Sequence, residues 1–494
     1  MSKLLKHSAI YVTLGFLPVA ANFFLAPIYT RFLTPEQYAL VGMSTLFQAF
    51  LTFFMSLSLD GAFSRMYFKY ERREKYKNGL LSTLLITSFL ASAIVFVVLY
   101  FIGDDLFKRI FSTEAFRFSN FGYWVAILTY GNVVYLFFAL YYRNAEKIRS
   151  YILLNTLFFF VPVAGTLTGL IFFKQGALGA VIGRAVGSLV VALPPALFFL
   201  SKTKFTVIKG FIRPAMKYAL PIIPYQLIFA GFLYLDRFFL LYYFTPHDFG
   251  VYNFAALLSG VIPVFLNAIS NATNPAIYRE LTKGEDLVKV QRFNQMIVFV
   301  AILLISTCVA FVVPAMRLVI SKEYAASYPY VGLIFLSYLP YVHYLIFSVP
   351  LFFWGKTKPF PVIAACSLLA GLAFNIVLIP RIGIWAVCLS LFSIRITQLG
   401  TAYLFNRKLG YAKLEYIQQG RFILTSAVIC GIYTAVLFLN ARYDLFPVDF
   451  VNLIPIAGFG ISIPLLYRKE MFAINEVVGK TLRSGASRIN LLRK

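Results

Sequence analysis

An all-α polytopic membrane protein is the fold class the sequence predicts, on three observations. The 494-residue chain is 60% hydrophobic and only 13% charged, too little polar surface for a water-soluble molecule of this size. Apolar runs long enough to cross ~30 Å of hydrocarbon recur from one end to the other. Between them, turns rich in Lys and Arg alternate with turns that carry far fewer. Helices are expected because lipid cannot satisfy backbone groups, and no barrel-like alternation is present.

The runs define about fourteen transmembrane helices. They fall near 8–29, 38–59, 80–102, 121–141, 151–173, 177–200, 218–243 and 249–271. The rest fall near 293–315, 328–353, 360–379, 383–404, 421–440 and 449–467. The first run follows Lys3 and Lys6 and contains Val19-Ala20-Ala21, which loosely resembles a cleavage site. It continues to Ile28, longer than a signal-peptide core, so a retained first span is expected.

Orientation follows from the basic turns. Arg65 to Lys77, Arg143 to Arg149, Lys202 to Lys217, Arg279 to Arg292, Lys356/Lys358, Arg407 to Arg421 and the tail from Arg468 all lie on one side. Most of the 45 Lys and Arg are there, which predicts that both termini are cytoplasmic. The formal charge of +26 is thereby a topology signal, and no nucleic-acid partner is implied. The longest outer loop, Gly103 to Asn120, is too short for a separate domain.

An internal repeat organises the spans. Phe32-Leu33-Thr34-Pro35-Glu36-Gln37-Tyr38-Ala39 opens span 2, and Tyr243-Phe244-Thr245-Pro246-His247-Asp248-Phe249-Gly250 opens span 8. At a similar offset, Lys174-Gln175-Gly176 opens span 6 and Arg381-Ile382-Gly383 opens span 12. Two pseudo-symmetric six-helix lobes are expected: residues 1–214 with spans 1–6, and 215–409 with spans 7–12. Residues 410–494 add two C-terminal helices and a basic tail. Parallel repeats are a transporter architecture. Pro18 and Pro27 in span 1 and Pro221 and Pro224 in span 7 are the candidate hinges, because proline removes a backbone hydrogen bond.

Two arginines fall where charge is costly. Arg184 lies about 12 Å into span 6 and Arg395 about 18 Å into span 12, at ~1.5 Å per residue. Each costs about 2.5–3.5 kcal/mol in hydrocarbon, so both are expected to face a wet cavity and to bind an anionic substrate. Arg237, Arg31 and Arg65 are further candidate cavity cations. Asp236, Asp60 and Glu36 are candidates for gating or for coupling to a proton or sodium gradient. Adjacent residues on a helix diverge, so Asp236 and Arg237 are expected to find separate partners.

Other chemistry is missing from the sequence. No phosphate-cradling glycine loop accompanies a Lys-Ser/Thr pair, and no nucleophile elbow or metal-protease motif occurs. Cys308, Cys366, Cys388 and Cys430 lie in apolar runs without metal spacing. Neither a metal nor a cofactor is expected. Asp104-Asp105 stands alone in an outer loop, and a membrane glycosyltransferase or polymerase would need a fuller acidic cluster.

Several motifs resemble those of polysaccharide flippases of the multidrug/oligosaccharidyl-lipid/polysaccharide exporter superfamily. Pro27-Ile28-Tyr29-Thr30-Arg31-Phe32-Leu33-Thr34-Pro35 with Tyr38 looks like the family opening. Leu59-Asp60-Gly61-Ala62 with Arg65 and Tyr67 resembles the next segment. Tyr218-Ala219-Leu220-Pro221, Pro224, Asp236-Arg237 and Gly250-Val251-Tyr252 are similar to the matching half-motifs. Ala39 departs from a usual glycine.

The resemblance implies alternating access in a bacterial inner membrane. The implied cargo is an undecaprenyl-diphosphate-linked oligosaccharide, such as a lipopolysaccharide O-antigen repeat unit. Membrane lipid, polysaccharide polymerase and chain-length machinery are the implied partners. The alternatives are an ion-coupled multidrug exporter of the same fold, which would want deep carboxylates where this chain has arginines, a membrane glycosyltransferase, and a non-transporting scaffold.

Overall fold

The computed structural model describes residues 17–70, 74–111, 113–283, 287–356, 358–410, 417–443 and 445–466. The start of span 1, the last residue of span 14 and the basic tail lie outside the described residues. Everything described in regular structure is helical.

The helices are α1 (Leu17–Phe32), α2 (Pro35–Ser56), α3 (Leu59–Lys69), α4 (Glu74–Ile110), α5 (Tyr123–Asn144) and α6 (Ile148–Leu167). They continue with α7 (Gly176–Lys202), α8 (Lys209–Ala219), α9 (Ile222–Tyr243), α10 (Pro246–Ser259), α11 (Val261–Lys283) and α12 (Leu287–Val319). The remainder are α13 (Tyr328–Phe353), α14 (Pro359–Ile382), α15 (Ile384–Lys408), α16 (Ile417–Tyr443), α17 (Val448–Asn452) and α18 (Ile454–Leu466).

Among the described residues, 11 helices are long and apolar enough to cross a membrane, or 12 if one bent pair counts as a single span. Each of the fourteen expected runs carries helix, but spans 1, 7 and 14 are short or broken within the described residues. Phe101, Phe172, Phe198 and Leu318 point most of their side chains outward, at 76%, 78%, 71% and 84% exposure. Many large apolar groups facing out would aggregate in water and are at home in lipid. The chain is a multi-pass membrane protein.

Local chemistry sets the boundaries. Thr34 caps α2, its side chain accepting from the Gln37 amide, with Pro35 at the first helical position. Helix α4 runs on to Ile110, so Asp104 and Asp105 are helical rather than in a loop as expected from sequence. The Asp104 carboxylate accepts from the Ser119 amide at 3.0 Å, tying the helix end to the next turn. Helix α1 continues through Pro27 without a break among the described residues, and Pro18 sits in its first turn. In the second copy Pro221 stands between α8 and α9, and segments Lys209–Ile228 and Leu233–Tyr243 meet at 53°.

The chain forms two compact units, Met1–Phe254 with Ile320–Tyr324, and Ala255–Val319 with Ala325–Lys494. In the first, α6 and α7 pack backbone to backbone. A Cβ on Gly183 would come within 1.9 Å of the Gly165 carbonyl oxygen, and Gly179 meets Gly169 as closely, so only glycine permits this approach. That contact holds Arg184 on the adjacent face of α7. In the second unit α15 packs on α13 and α14, with Cys388 and Ser390 buried between them.

Candidate functional site

A polar cavity of about 260 Å³ opens inside the first unit beside Arg184. Asn22 of α1, Gln48 of α2, Asn132 of α5, Thr166 of α6, and Arg184 and Ser188 of α7 supply its polar lining. Arg184 and Ser188 are four residues apart and share a helix face. The buried Tyr29 hydroxyl lies within electrostatic reach of the guanidinium and of Thr166. Thr166 spends its own proton on the Pro162 carbonyl at 2.8 Å. Arg184 has no carboxylate partner among the described residues. A guanidinium has five donors, and most of these remain for the cavity.

A larger cavity of about 800 Å³ lies between α4, α5 and α7, but Phe89, Leu193 and Leu197 are typical of its walls. An apolar surface of that kind offers nothing to a charged headgroup.

In the second unit Arg395 is half-buried on α15. Its guanidinium lies 3.4 Å from the centre of the Tyr338 ring and donates to Ser337 Oγ, both on α13. Tyr341 lies one turn along α13, its ring 6.1 Å from that of Tyr338. No carboxylate pairs with Arg395 among the described residues.

The third interior arginine behaves differently. Arg237 Nη1 lies 3.3 Å from Asp236 Oδ1, and Arg237 Nε donates to Asn253 Oδ1 at 3.3 Å. Asp236 is only 4% exposed and accepts from the Tyr252 hydroxyl at 2.6 Å. Each group does find the separate partner expected of it, and the correction is that the two also pair with each other. The long Arg237 side chain bends back to its immediate neighbour, and α10 supplies Tyr252 and Asn253 to hold both groups. A cation so neutralised is a poor candidate for gripping an anion.

The boundary residues are more exposed. Arg31 projects from the last turn of α1. Arg65 is exposed, 5.1 Å from the ring centre of Tyr218. Asp60 is half-buried in the first turn of α3. Glu36 meets His247 Nδ1 at 2.6 Å, although the two are 211 residues apart. They occupy corresponding places in the two Thr-Pro turns. The turns touch again where Gly250 packs on the Pro35 carbonyl, so close that a Cβ would clash at 1.8 Å.

A family model described as "Polysaccharide biosynthesis protein" matches residues 4–281, more than half of the chain. The chain belongs to this family. An Lsg locus protein of Haemophilus influenzae is 24% identical over 395 residues, covering 75% of this chain and 90% of its own. An uncharacterized membrane protein of the same organism is 22% identical over 385 residues, 75% of this chain and 88% of its own.

Two solved structures share the fold. One is an inward-facing multidrug resistance MATE family transporter of the MOP superfamily, with TM-score 0.64 and 13% identity, covering 81% of this chain and 96% of that one. The other is the lipid II flippase MurJ in an inward closed conformation, with TM-score 0.60 and 14% identity, covering 94% of this chain and 100% of that one. The fold is shared with these two solved structures, and the resemblance to a polysaccharide family read from the motifs is upheld by the family model.

Sequence reasoning picked out the arginines and missed the amides. Asn22, Gln48 and Asn132 stand alone in separate apolar runs, so no spacing links them. The usable signal was the type itself, a polar amide at membrane depth.

Proposed function

We propose that this protein is a flippase that carries a polyprenyl-diphosphate-linked oligosaccharide from the cytoplasmic to the outer leaflet of the bacterial inner membrane. Membership of a polysaccharide biosynthesis family and a fold shared with a lipid II flippase support this reading. The observation that carries it is the pair Arg184 and Arg395. Each is interior to a transmembrane helix, lacks a carboxylate partner among the described residues, and is supported by tyrosine. Guanidinium groups stay charged at any physiological pH and match phosphate oxygens with a two-pronged fork.

In this reading residues 1–214 and 215–409 form the halves of an alternating-access cycle, and residues 410–494 are an appendix with a cytoplasmic tail. Both termini are cytoplasmic, as the basic turns suggest. Arg31 and Arg65 would attract the headgroup at the rims. Pro18, Pro27, Pro221 and Pro224 would let helices bend. Asp60, Asp236 and Glu36 are the carboxylates available for coupling to an ion gradient. Polymerase and chain-length proteins would receive the flipped unit.

A multidrug exporter of the same fold would need a carboxylate to hold a cation, and the lining of the cavity beside Arg184 contains none. The deciding experiment is a deletion strain assayed for lipid-linked oligosaccharide on each leaflet. Accumulation on the cytoplasmic leaflet, reversed by the wild-type gene, is expected. Normal distribution between leaflets would overturn the flippase reading.

A further inference from the structure

The cavity beside Arg184 holds more hydrogen-bonding capacity than the protein uses. The side-chain amides of Asn22, Gln48 and Asn132 line it without a hydrogen-bond partner among the described residues. Each brings two donor protons and an accepting oxygen. Ser188 gives its proton to the Ala185 carbonyl at 2.8 Å, as Thr166 does to Pro162, so these hydroxyls offer lone pairs to a ligand. Arg184 adds a fixed positive charge. Leu25, Leu128 and Phe158 complete the walls with apolar surface.

This donor set discriminates among ligands. A metal ion or an amine finds no carboxylate in the lining. Ionised phosphate alone accepts hydrogen bonds but has few protons to give, so the amide oxygens and the hydroxyl lone pairs would stay unpaired. A neutral sugar would satisfy the amides and leave the guanidinium without a counter-charge. A sugar ring bearing a phosphate satisfies both, with its apolar edges against Leu25, Leu128 and Phe158. At about 260 Å³ the space falls just below the ~300–1,000 Å³ of drug-sized pockets, room for one ring and not for an oligosaccharide.

We infer that this cavity is a subsite for a single glycosyl phosphate, with the ring on Asn22, Gln48 and Asn132 and the phosphate on Arg184. The inference rests on the flippase reading and narrows it. The part of the cargo held in the first unit is the sugar joined directly to the diphosphate, and the remaining sugars extend away from it.

The test uses the full-length protein in lipid nanodiscs, with binding measured by calorimetry. The probes are hexose 1-phosphates, the parent hexoses, inorganic phosphate and a hexuronate. At least one hexose 1-phosphate is expected to bind about tenfold or more tighter than its hexose or phosphate. Asn132→Asp, nearly isosteric, puts a negative charge beside the phosphate and should weaken binding about tenfold or more, whereas Lys108→Gln, exposed near the end of α4 and outside the cavity lining, should leave it unchanged. Gln48→Glu replaces Asn132→Asp if that variant does not fold.

Phosphate binding as well as the hexose phosphate, a preference for hexuronate, indifference to both acidic variants, or no binding of any probe would each overturn the subsite. Flipping of lipid-linked oligosaccharide in proteoliposomes is measured in parallel. Flipping without glycosyl phosphate binding rejects the subsite and keeps the flippase; binding without flipping does the reverse.

Discussion

Arg184 and Arg395 bring the same charge into transmembrane helices α7 and α15, yet their surroundings are built differently. Arg184 sits beside the Tyr29 hydroxyl and opens onto a cavity rich in amides. Arg395 lies over the Tyr338 ring and donates to Ser337. The first cation is stabilised by polar groups that ligand or water can complete. The second is stabilised by an aromatic face, which leaves its edge donors free to point elsewhere. Arg237 offers a third solution, neutralisation by the neighbouring Asp236. The lesson is that a membrane arginine is read for function by what it lacks, a carboxylate, more than by its depth.

The largest expected effect tests the neutralised case. Asp236→Asn leaves Arg237 without its counter-charge in a buried setting, at a cost of about 3–5 kcal/mol, read as a lower thermal unfolding midpoint in detergent. A midpoint equal to wild type would mean that the pair is not a structural element, and the contrast with Arg184 would fail.

Next come Arg184→Ala and Arg395→Ala, each expected to stop surface glycan display while the protein still inserts. Losing a charged hydrogen-bonding group worth about 1.5–3 kcal/mol slows flipping about 10–100-fold. Normal display in both variants would remove the paired cations from the mechanism.

Lysine replacements sharpen the difference between the two sites. Arg184→Lys keeps a charge in a polar cavity and should retain partial flipping. Arg395→Lys loses the stacking that an ammonium cannot reproduce, and should be the weaker of the two in the same proteoliposome assay. Tyr338→Leu tests that stacking directly: a desolvated cation–π contact is worth about 2 kcal/mol, so flipping should fall by up to about 30-fold. The smallest effect belongs to Glu36→Gln. Its pairing with His247 is half exposed, and exposed pairs contribute about 0–1 kcal/mol, so the unfolding midpoint should barely move.

Much of this was legible beforehand. The span positions followed from apolar runs alone, and span 10, expected near 328–353, coincides with α13 from Tyr328 to Phe353. Gly183 and Gly187 of α7 meet α6, and Gly179 meets Gly169 just beyond its end. Less could be said where one segment's fate depends on another. The Asp236–Arg237 pairing needed Tyr252 and Asn253 to come alongside, and the helical extension to Ile110 needed a partner for Asp104.

The amino-acid sequence by itself determined that this chain lives in lipid, that it is helical, and which residues carry unaffordable charge there. Those properties follow from transfer energies and backbone hydrogen bonding, which act residue by residue along the chain. Tertiary structure alone decided which charges are neutralised, and that amides from α1, α2 and α5 converge with Arg184 on one small cavity. Convergence depends on distances between helices far apart in sequence, and no one-dimensional pattern encodes those distances.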